Sequence, residues 1–323
     1  MAYLLFILSL GLLVLGAEAL VRGASRLAAS LGVSSLIIAL TVVSFATSAP
    51  ELAVSMQATF TDKATIALSN IVGSNILNLL LVVGLSATIV PLSINNQVIR
   101  LDLPVMIGAS ILAWIFALSG TIHRLEGLTL VAILVGYLWL QIYIGRKKRE
   151  QVTEPQTTAS KPWLLHLLFI IFGLVLLLLS ARLLVNSSVT IAQTLGVSDV
   201  VIGLTIVAIG TSMPEIATSL IAALRGERDI AIGAVVGSNI FNILCVLGIT
   251  ASLAPTHLPV DDQVAYIDMP IMLAVSLLAL PLFFIGKVMS RLDGMLFFGL
   301  YFIYCCFLVL RATNSPLLHG LLF

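Results

Sequence analysis

The chain has 323 residues, of which 60% are hydrophobic and only 10% charged, and its mean hydropathy is +1.16. A soluble domain carries about 25% charged residues. This composition therefore excludes a soluble domain and indicates that most of the chain is surrounded by lipid. The net charge of +1 identifies no partner by itself, and we expect the bilayer as a partner and no nucleic acid. The three cysteines lie inside apolar segments without a CxxC pair, which favours neither a disulfide nor a metal cofactor.

Ten hydrophobic segments are long enough to cross a bilayer, which takes about 20 apolar residues per helix. They lie near residues 2–21, 35–59, 65–91, 103–119, 125–144, 163–185, 199–223, 229–254, 265–285 and 292–311. The segments are continuously apolar, which indicates helices and not the alternating strands of a barrel. Glu18 and Arg22 follow the first segment in place of a cleavage motif, so it is interpreted as a first helix and not as a secretory signal.

The longest polar stretch, Gly145 to Pro162, carries five of the basic residues and is interpreted as a cytoplasmic linker. With this loop inside, both termini are outside, and twelve Lys and Arg residues lie inside against four outside. The predicted layout is repeat one over residues 1–144, a linker over 145–162 and repeat two over 163–323. We expect a monomer in the cell (inner or plasma) membrane.

The two halves of the chain repeat each other at an offset of 164 residues. TVVSFATSAPE from Thr41 matches TIVAIGTSMPE from Thr205 with six identities in eleven, and GSNILNLLLVVG from Gly73 matches GSNIFNILCVLG from Gly237 with eight in twelve. Because five helices repeat as five, the second unit enters the membrane from the opposite side. Inverted repeats of this kind are typical of secondary transporters, which bind their substrates between the repeats.

Glu51 and Glu215 are repeat partners and are predicted to be the acids buried deep in the membrane. A charge at a helix centre costs about 2.5–3.5 kcal/mol on insertion scales, so such residues are functional by default. Pro50 and Pro214 precede them and should break helices 2 and 7, leaving backbone carbonyls such as those of Ala46 and Gly210 without a donor.

Further polar side chains of the repeat are predicted to line the same site. Thr47 and Ser48 share the helical face of Glu51, and Ser74 and Asn78 are spaced i, i+4 on the next helix. The corresponding residues of repeat two are Thr211, Ser212, Ser238 and Asn242. Asn75 and Asn239 are expected to brace the broken helices through hydrogen bonds.

Carboxylates, hydroxyls, amides and carbonyls are hard oxygen ligands, which suit Ca²⁺ better than a transition metal. Two ionised glutamates neutralise one divalent cation, and after its release monovalent cations or protons must replace it. This alternation of charge predicts an antiporter.

At these motifs the sequence resembles the cation/calcium exchanger superfamily, and in particular the compact prokaryotic sodium/calcium exchangers. The resemblance implies exchange of Na⁺ for Ca²⁺ by alternating access, over all ten helices. It also implies ligands at matching positions, namely Thr47, Ser48, Glu51, Ser74, Asn78, Thr211, Ser212, Glu215, Ser238 and Asn242, with backbone carbonyls near Ser44 and Ala208. Several relatives carry aspartate at the position of Asn242, and this departure argues against potassium dependence.

Other functions remain open at this point. An intramembrane enzyme is disfavoured because no HExxH, GxSxG or GxGD arrangement is present. A channel accounts for buried carboxylates but not for inverted repeats. Within transporters, the alternative is a proton-coupled Ca²⁺ or Mn²⁺ exchanger, since protons titrate the same glutamates.

Overall fold

The computed structural model describes residues 2–61, 64–151, 163–194 and 208–312. These residues form ten helices, which we number α1 to α10 in chain order. They are α1 (Ala2–Leu31), α2 (Ser35–Phe60), α3 (Ala64–Leu77, continuing through Asn78–Val83 and Gly84–Ile89), α4 (Val98–Ala117), α5 (Arg124–Gln151), α6 (Trp163–Thr194), α7 (Ala208–Thr211 and Met213–Leu224), α8 (Arg228–Leu253), α9 (Val264–Phe284) and α10 (Arg291–Ala312). The prediction of an all-helical polytopic fold is confirmed.

Several helices differ in length from the predicted segments. α1 continues ten residues past its expected end, because no helix breaker intervenes before Gly32, whose φ of +65° ends the helix. Its repeat partner α6 likewise continues to Thr194. α5 extends to Gln151, into the stretch expected to be linker, and the remaining linker residues 152–162 lie outside the described part of the chain.

Nine of the helices in the described ranges are long and apolar enough to span a membrane, and α7 is described only from Ala208. Two short antiparallel ribbons indicate that α7 crosses as well. β1 (Leu92–Ser93) pairs with β4 (Val288–Met289), and β2 (Thr121–Ile122) pairs with β3 (Leu258–Pro259). Each ribbon joins two loops that must lie on one membrane face. A chain returns to the same membrane face only after an even number of crossings. Helices α4 to α9 lie between the first pair of loops and helices α5 to α8 between the second, and both numbers are even only if α7 spans the membrane.

Within the described ranges, turns of π-helix interrupt five of the helices, a feature that the sequence did not predict. They are Ala39–Val43 in α2, Asn78–Val83 in α3, Val98–Asp102 in α4, Asn242–Leu247 in α8 and Val264–Asp268 in α9. The turns of α3 and α8, and those of α4 and α9, lie at equivalent places in the two repeats. Such turns frequently occur at functional sites, since they widen the helix and re-aim its side chains.

α1 and α6 pack against each other through glycine. A Cβ on Gly173 would lie 2.6 Å from the backbone nitrogen of Leu20 and 2.7 Å from the carbonyl oxygen of Gly16. Small residues at such crossings let two membrane helices approach closely. By contrast, α8 lies at the centre of the fold, where every residue from Ile230 to Gly248 is buried. The repeated polar motifs are therefore enclosed by protein, while large apolar side chains such as Trp139 and Phe302 face outward.

Candidate cation-binding site

Helices α2 and α7 are broken, as predicted, and the breaks lie at two equivalent serines that precede the prolines. Ser48 has φ −80° and ψ 0°, and Ser212 has φ −91° and ψ 10°, both in the sparsely populated bridge region. The prolines are not in a helix interior: each lies in the first turn of the segment after the break, where its missing N–H is tolerated. Glu51 and Glu215 lie in the same first turns, where the helix dipole favours a carboxylate.

The two glutamates are enclosed completely, with 0% of Glu51 and 1% of Glu215 exposed. Ser212 Oγ donates to Glu51 Oε1 over 3.5 Å, which places the break of α7 beside the carboxylate of α2. In the described part of the chain, Glu51 Oε2 and both carboxylate oxygens of Glu215 have no hydrogen-bond partner. An ionised carboxylate without a partner has a high free energy when it is buried this deeply, and a cation bound beside these oxygens would lower it.

The crossing of α2 and α8 joins the two repeats tightly. Thr47 Oγ1 and Ser238 Oγ lie 3.0 Å apart, and Ser44 Oγ donates to the carbonyl oxygens of Ala39 (2.7 Å) and Ala234 (3.1 Å). A Cβ on Gly237 would lie 2.1 Å from Ser44 Oγ, so only glycine fits there. The Ser44 side chain therefore packs one repeat against the other.

The backbone carbonyls expected near Ser44 and Ala208 differ between the repeats. The Ser44 carbonyl accepts the N–H of Ser48 at 3.0 Å, whereas the equivalent N–H of Ser212 goes to Ile209 at 3.1 Å. Ala208 begins the described part of α7, and the residues before it lie outside the described ranges.

Four buried asparagines form a closed clamp where α3 crosses α8. Asn75 Nδ2 donates to the Asn239 carbonyl (3.3 Å) and Asn239 Nδ2 to the Asn75 carbonyl (3.1 Å). Asn78 Nδ2 donates to Asn239 Oδ1 and Asn242 Nδ2 to Asn75 Oδ1, both over 3.0 Å. The expectation that Asn75 and Asn239 brace the broken helices is wrong, because each side-chain amide donates to the other residue's backbone carbonyl across the two unbroken helices.

The clamp uses only one end of the Asn78 and Asn242 side-chain amides. Their N–H groups are used within it, while their Oδ1 atoms have no partner in the described residues. Ser48 Oγ and Thr211 Oγ1 are also buried and unpartnered there, and Ser74 is buried beside the clamp with 4% exposure. Together with the glutamates, seven side-chain oxygen atoms of the predicted site lack a partner among the described residues. Buried polar atoms are normally paired, so these oxygen atoms are candidate cation ligands.

Sequence reasoning missed some polar residues of these helices. Thr218 lies one turn after Glu215, is fully buried, and its hydroxyl has no partner in the described ranges. Ser55 and Ser219 are repeat partners whose hydroxyls donate to Ala67 O (3.5 Å) and Ala231 O (3.1 Å), each tying a broken helix to the next helix. The two serines match at the 164-residue offset between the repeats, so the sequence did contain a signal for this pair.

A third acid is also fully buried, contrary to the expectation that only Glu51 and Glu215 would be. Asp102 in the π-helical turn of α4 accepts from Tyr137 Oη (3.0 Å) and Gln141 Nε2 (2.6 Å) of α5. Its repeat partner Asp268 pairs with Arg311 at 3.2 Å. The two aspartates are matched in the sequence, and each tethers a peripheral helix pair.

Fold, inverted repeats and paired carboxylates define this molecule as a multi-pass membrane antiporter of the cation/calcium exchanger class, and not an enzyme. The family model described as "Sodium/calcium exchanger protein" matches residues 1–143 and 165–310, and the chain belongs to that family.

Individual relatives cover nearly the whole chain. The putative antiporter CaxA of Alkalimonas amylolytica is 39% identical over 302 residues, which are 91% of this chain and 94% of CaxA. The inner membrane protein YrbG of Escherichia coli (strain K12) is 36% identical over 86% of this chain and 87% of its own length. A structure of the sodium-calcium exchanger NCX_Mj, soaked with Na⁺ and Sr²⁺, superimposes with a TM-score of 0.81 at 33% identity, over 94% of this chain and 97% of that one.

Proposed function

We propose that this antiporter exchanges Na⁺ for Ca²⁺ by alternating access, with the cations bound at the membrane midplane between the repeats. The observation that carries the proposal is the pair Glu51 and Glu215, one carboxylate from each inverted repeat, both buried among hard oxygen atoms without protein partners in the described residues. Sodium-calcium exchange is also the activity named for NCX_Mj, which shares this fold.

Charge balance explains why exchange and not simple release follows from this site. One Ca²⁺ neutralises both carboxylates, and oxygen ligands are the ones it prefers. When Ca²⁺ leaves, two negative charges in a medium of low dielectric cost several kcal/mol unless other cations replace it. Ca²⁺ release and Na⁺ binding are thereby coupled.

The neutral oxygens favour Na⁺ over protons as the replacing ion. Proton coupling needs only Glu51 and Glu215, whereas the hydroxyls and amide oxygens of residues such as Thr211, Asn78 and Asn242 suit a dehydrated metal cation. Asn242 is neutral where several relatives carry aspartate, so we propose that K⁺ is not required. If more than two Na⁺ replace one Ca²⁺, each cycle moves net charge and responds to voltage at about 2.3 kcal/mol per charge per 100 mV.

We propose the inner membrane as the location, with both termini outside and the two five-helix repeats joined by a cytoplasmic linker. The twelve-to-four distribution of basic residues supports this orientation. A cysteine at Thr157, in a cysteine-free background, should resist impermeant thiol reagents in intact cells, while one at the exposed Thr256 between α8 and α9 should react. The opposite pattern would invert the orientation.

The ion specificity is tested by ⁴⁵Ca²⁺ uptake into proteoliposomes. Vesicles loaded with Na⁺ should accumulate Ca²⁺ when diluted into Na⁺-free buffer, equally with and without external K⁺ and in the presence of a proton ionophore. Uptake that ignores the Na⁺ gradient but collapses with the pH gradient would favour the proton-coupled alternative. Ca²⁺ flux that neither saturates nor needs a counter-ion would indicate a channel.

A further inference from the structure

Two histidines face each other across the ribbon of β2 and β3, away from the glutamates. Thr121 pairs with Pro259 and Ile122 with Leu258, so the next antiparallel pair is His123 and His257. Directly opposed residues have Cβ atoms about 4.5–5.5 Å apart. The two imidazole rings are in contact, with centroids 4.2 Å apart and an interplanar angle of 64°, and both side chains are exposed.

The backbone beneath this pair is held from both repeats. The Val260 N–H donates to the Gly120 carbonyl (2.9 Å), and the His123 N–H donates to Glu126 Oε2 (2.6 Å). α5 and α8 abut just below, since a Cβ on Gly127 would lie 2.7 Å from the carbonyl oxygen of Gly248. The two imidazoles are therefore presented on a preorganised scaffold, which lowers the cost of ordering them around a ligand.

We propose that His123 and His257 form a bidentate site for a borderline divalent transition metal of the Zn²⁺, Ni²⁺ or Cu²⁺ class. Imidazole nitrogen suits these metals, whereas Ca²⁺ takes oxygen. Metal–nitrogen bonds of about 2.0–2.1 Å bring two tetrahedral ligands about 3.4 Å apart, within reach of exposed rings already in contact. In the described ranges no third His, Cys, Asp or Glu completes a cluster, so water occupies the other positions and the metal exchanges readily.

The site is distinct from the one that binds the exchanged ions and links the two repeats at one membrane face. His123 immediately precedes α5 of repeat one, and His257 follows α8 of repeat two. A metal held by both side chains adds a cross-link between loops that the β2–β3 ribbon already joins.

The test is isothermal titration of the purified protein, without a polyhistidine tag, with Zn²⁺ and with Ni²⁺. We expect one site per chain, and about 100-fold weaker binding in His123→Ala and in His257→Ala, because each variant loses the chelate. Thr256→Ala, a change at an exposed neighbour, should bind as the unchanged protein does. Size-exclusion profiles check that the variants fold.

Three outcomes would overturn the proposal. The first is the absence of binding to the unchanged protein, and the second is unchanged affinity in either histidine variant. The third is displacement of Zn²⁺ by millimolar Ca²⁺, which would place the metal at the buried glutamates instead.

Discussion

The two halves of the candidate cation site carry matching sequence motifs, but their side chains differ in how many hydrogen-bond partners the described residues provide. In the α2 half, Thr47 contacts Ser238 and Glu51 Oε1 accepts from Ser212, while Ser48 Oγ and Glu51 Oε2 have no partner among the described residues. In the α7 half, Thr211 Oγ1 and both Glu215 carboxylate oxygens have no partner among the described residues.

The glycines at the two helix crossings differ in the same way. A Cβ on Gly237 would clash with Ser44, whereas a Cβ on Gly73 would meet no described atom within 4 Å. Among the described residues, the Gly237 crossing is therefore closely packed, and no such contact is seen at Gly73. If the protein works by the proposed alternating access, the two halves would exchange these roles during the cycle.

The largest effect is expected at the carboxylates, of which each half supplies one. Glu51→Gln and Glu215→Gln should each reduce Ca²⁺ transport by more than about 100-fold, since removing one partner of a buried charge interaction costs about 3–5 kcal/mol. ⁴⁵Ca²⁺ flux in proteoliposomes measures this. The exposed Asp262→Asn is the matched control and should transport normally. Near-normal exchange by either glutamine variant would remove that carboxylate from the mechanism.

The glycine crossings test the packing difference directly. Gly237→Ala should destabilise the protein by about 1–3 kcal/mol, because the new methyl group overlaps Ser44 and approaches Leu40. Gly73→Ala, the same change in the other repeat, should leave the stability unchanged or raise it by up to about 1 kcal/mol through helix propensity. Thermal unfolding in detergent gives both values. Equal destabilisation would show that the two crossings are packed alike.

Substitutions of Thr47 and Thr211 should affect the free energy of unfolding and the Ca²⁺ affinity differently. Thr47→Val leaves the Ser238 hydroxyl without this partner and should cost about 1 kcal/mol of stability. Thr211→Val removes a hydroxyl that has no partner in the described residues, so stability should hold while Ca²⁺ affinity falls several-fold. Unfolding and ⁴⁵Ca²⁺ binding, measured on both variants, provide the comparison. A stability loss in Thr211→Val as large as that in Thr47→Val would contradict the assignment.

The smallest effect is expected at the asparagine clamp. Asn242→Asp adds a third carboxylate beside the site and should shift cation selectivity or the pH dependence of transport without abolishing it. Asn78→Asp makes the same change in repeat one and serves as its counterpart. Competition of Na⁺, K⁺ and H⁺ against ⁴⁵Ca²⁺ uptake reads out the shift. Profiles identical to the unchanged protein in both variants would place these side chains outside the site.

The sequence predicts the ten helices, the inverted repeat and the presence of breaks in α2 and α7, because hydropathy and proline act locally and the two repeats can be compared with each other. It does not predict that the breaks lie at the serines. It also does not predict the π-helical turns of α2, α3, α4, α8 and α9, since a π-helical hydrogen-bond pattern is not set by local sequence preference alone. The lengths of α1 and α6 were underestimated because charged residues such as Arg22 continue a helix past its apolar part.

Tertiary contacts account for what sequence reasoning missed in and around the site. The side-chain amides of Asn75 and Asn239 reach each other's backbone carbonyls only because α3 crosses α8. Asp102 lies at the edge of an apolar segment in the sequence, yet α5 covers it with Tyr137 and Gln141. Its pairing with Asp268 across the repeat was the available signal, and neither spacing nor composition revealed the depth of its burial.

The most direct test of a single site shared by both repeats is equilibrium binding of ⁴⁵Ca²⁺ to the purified protein. We predict one Ca²⁺ per chain, displaced competitively by Na⁺, with binding lost in both Glu51→Gln and Glu215→Gln. Ca²⁺ binding that persists undiminished in one of these variants, or that Na⁺ does not displace, would contradict the account.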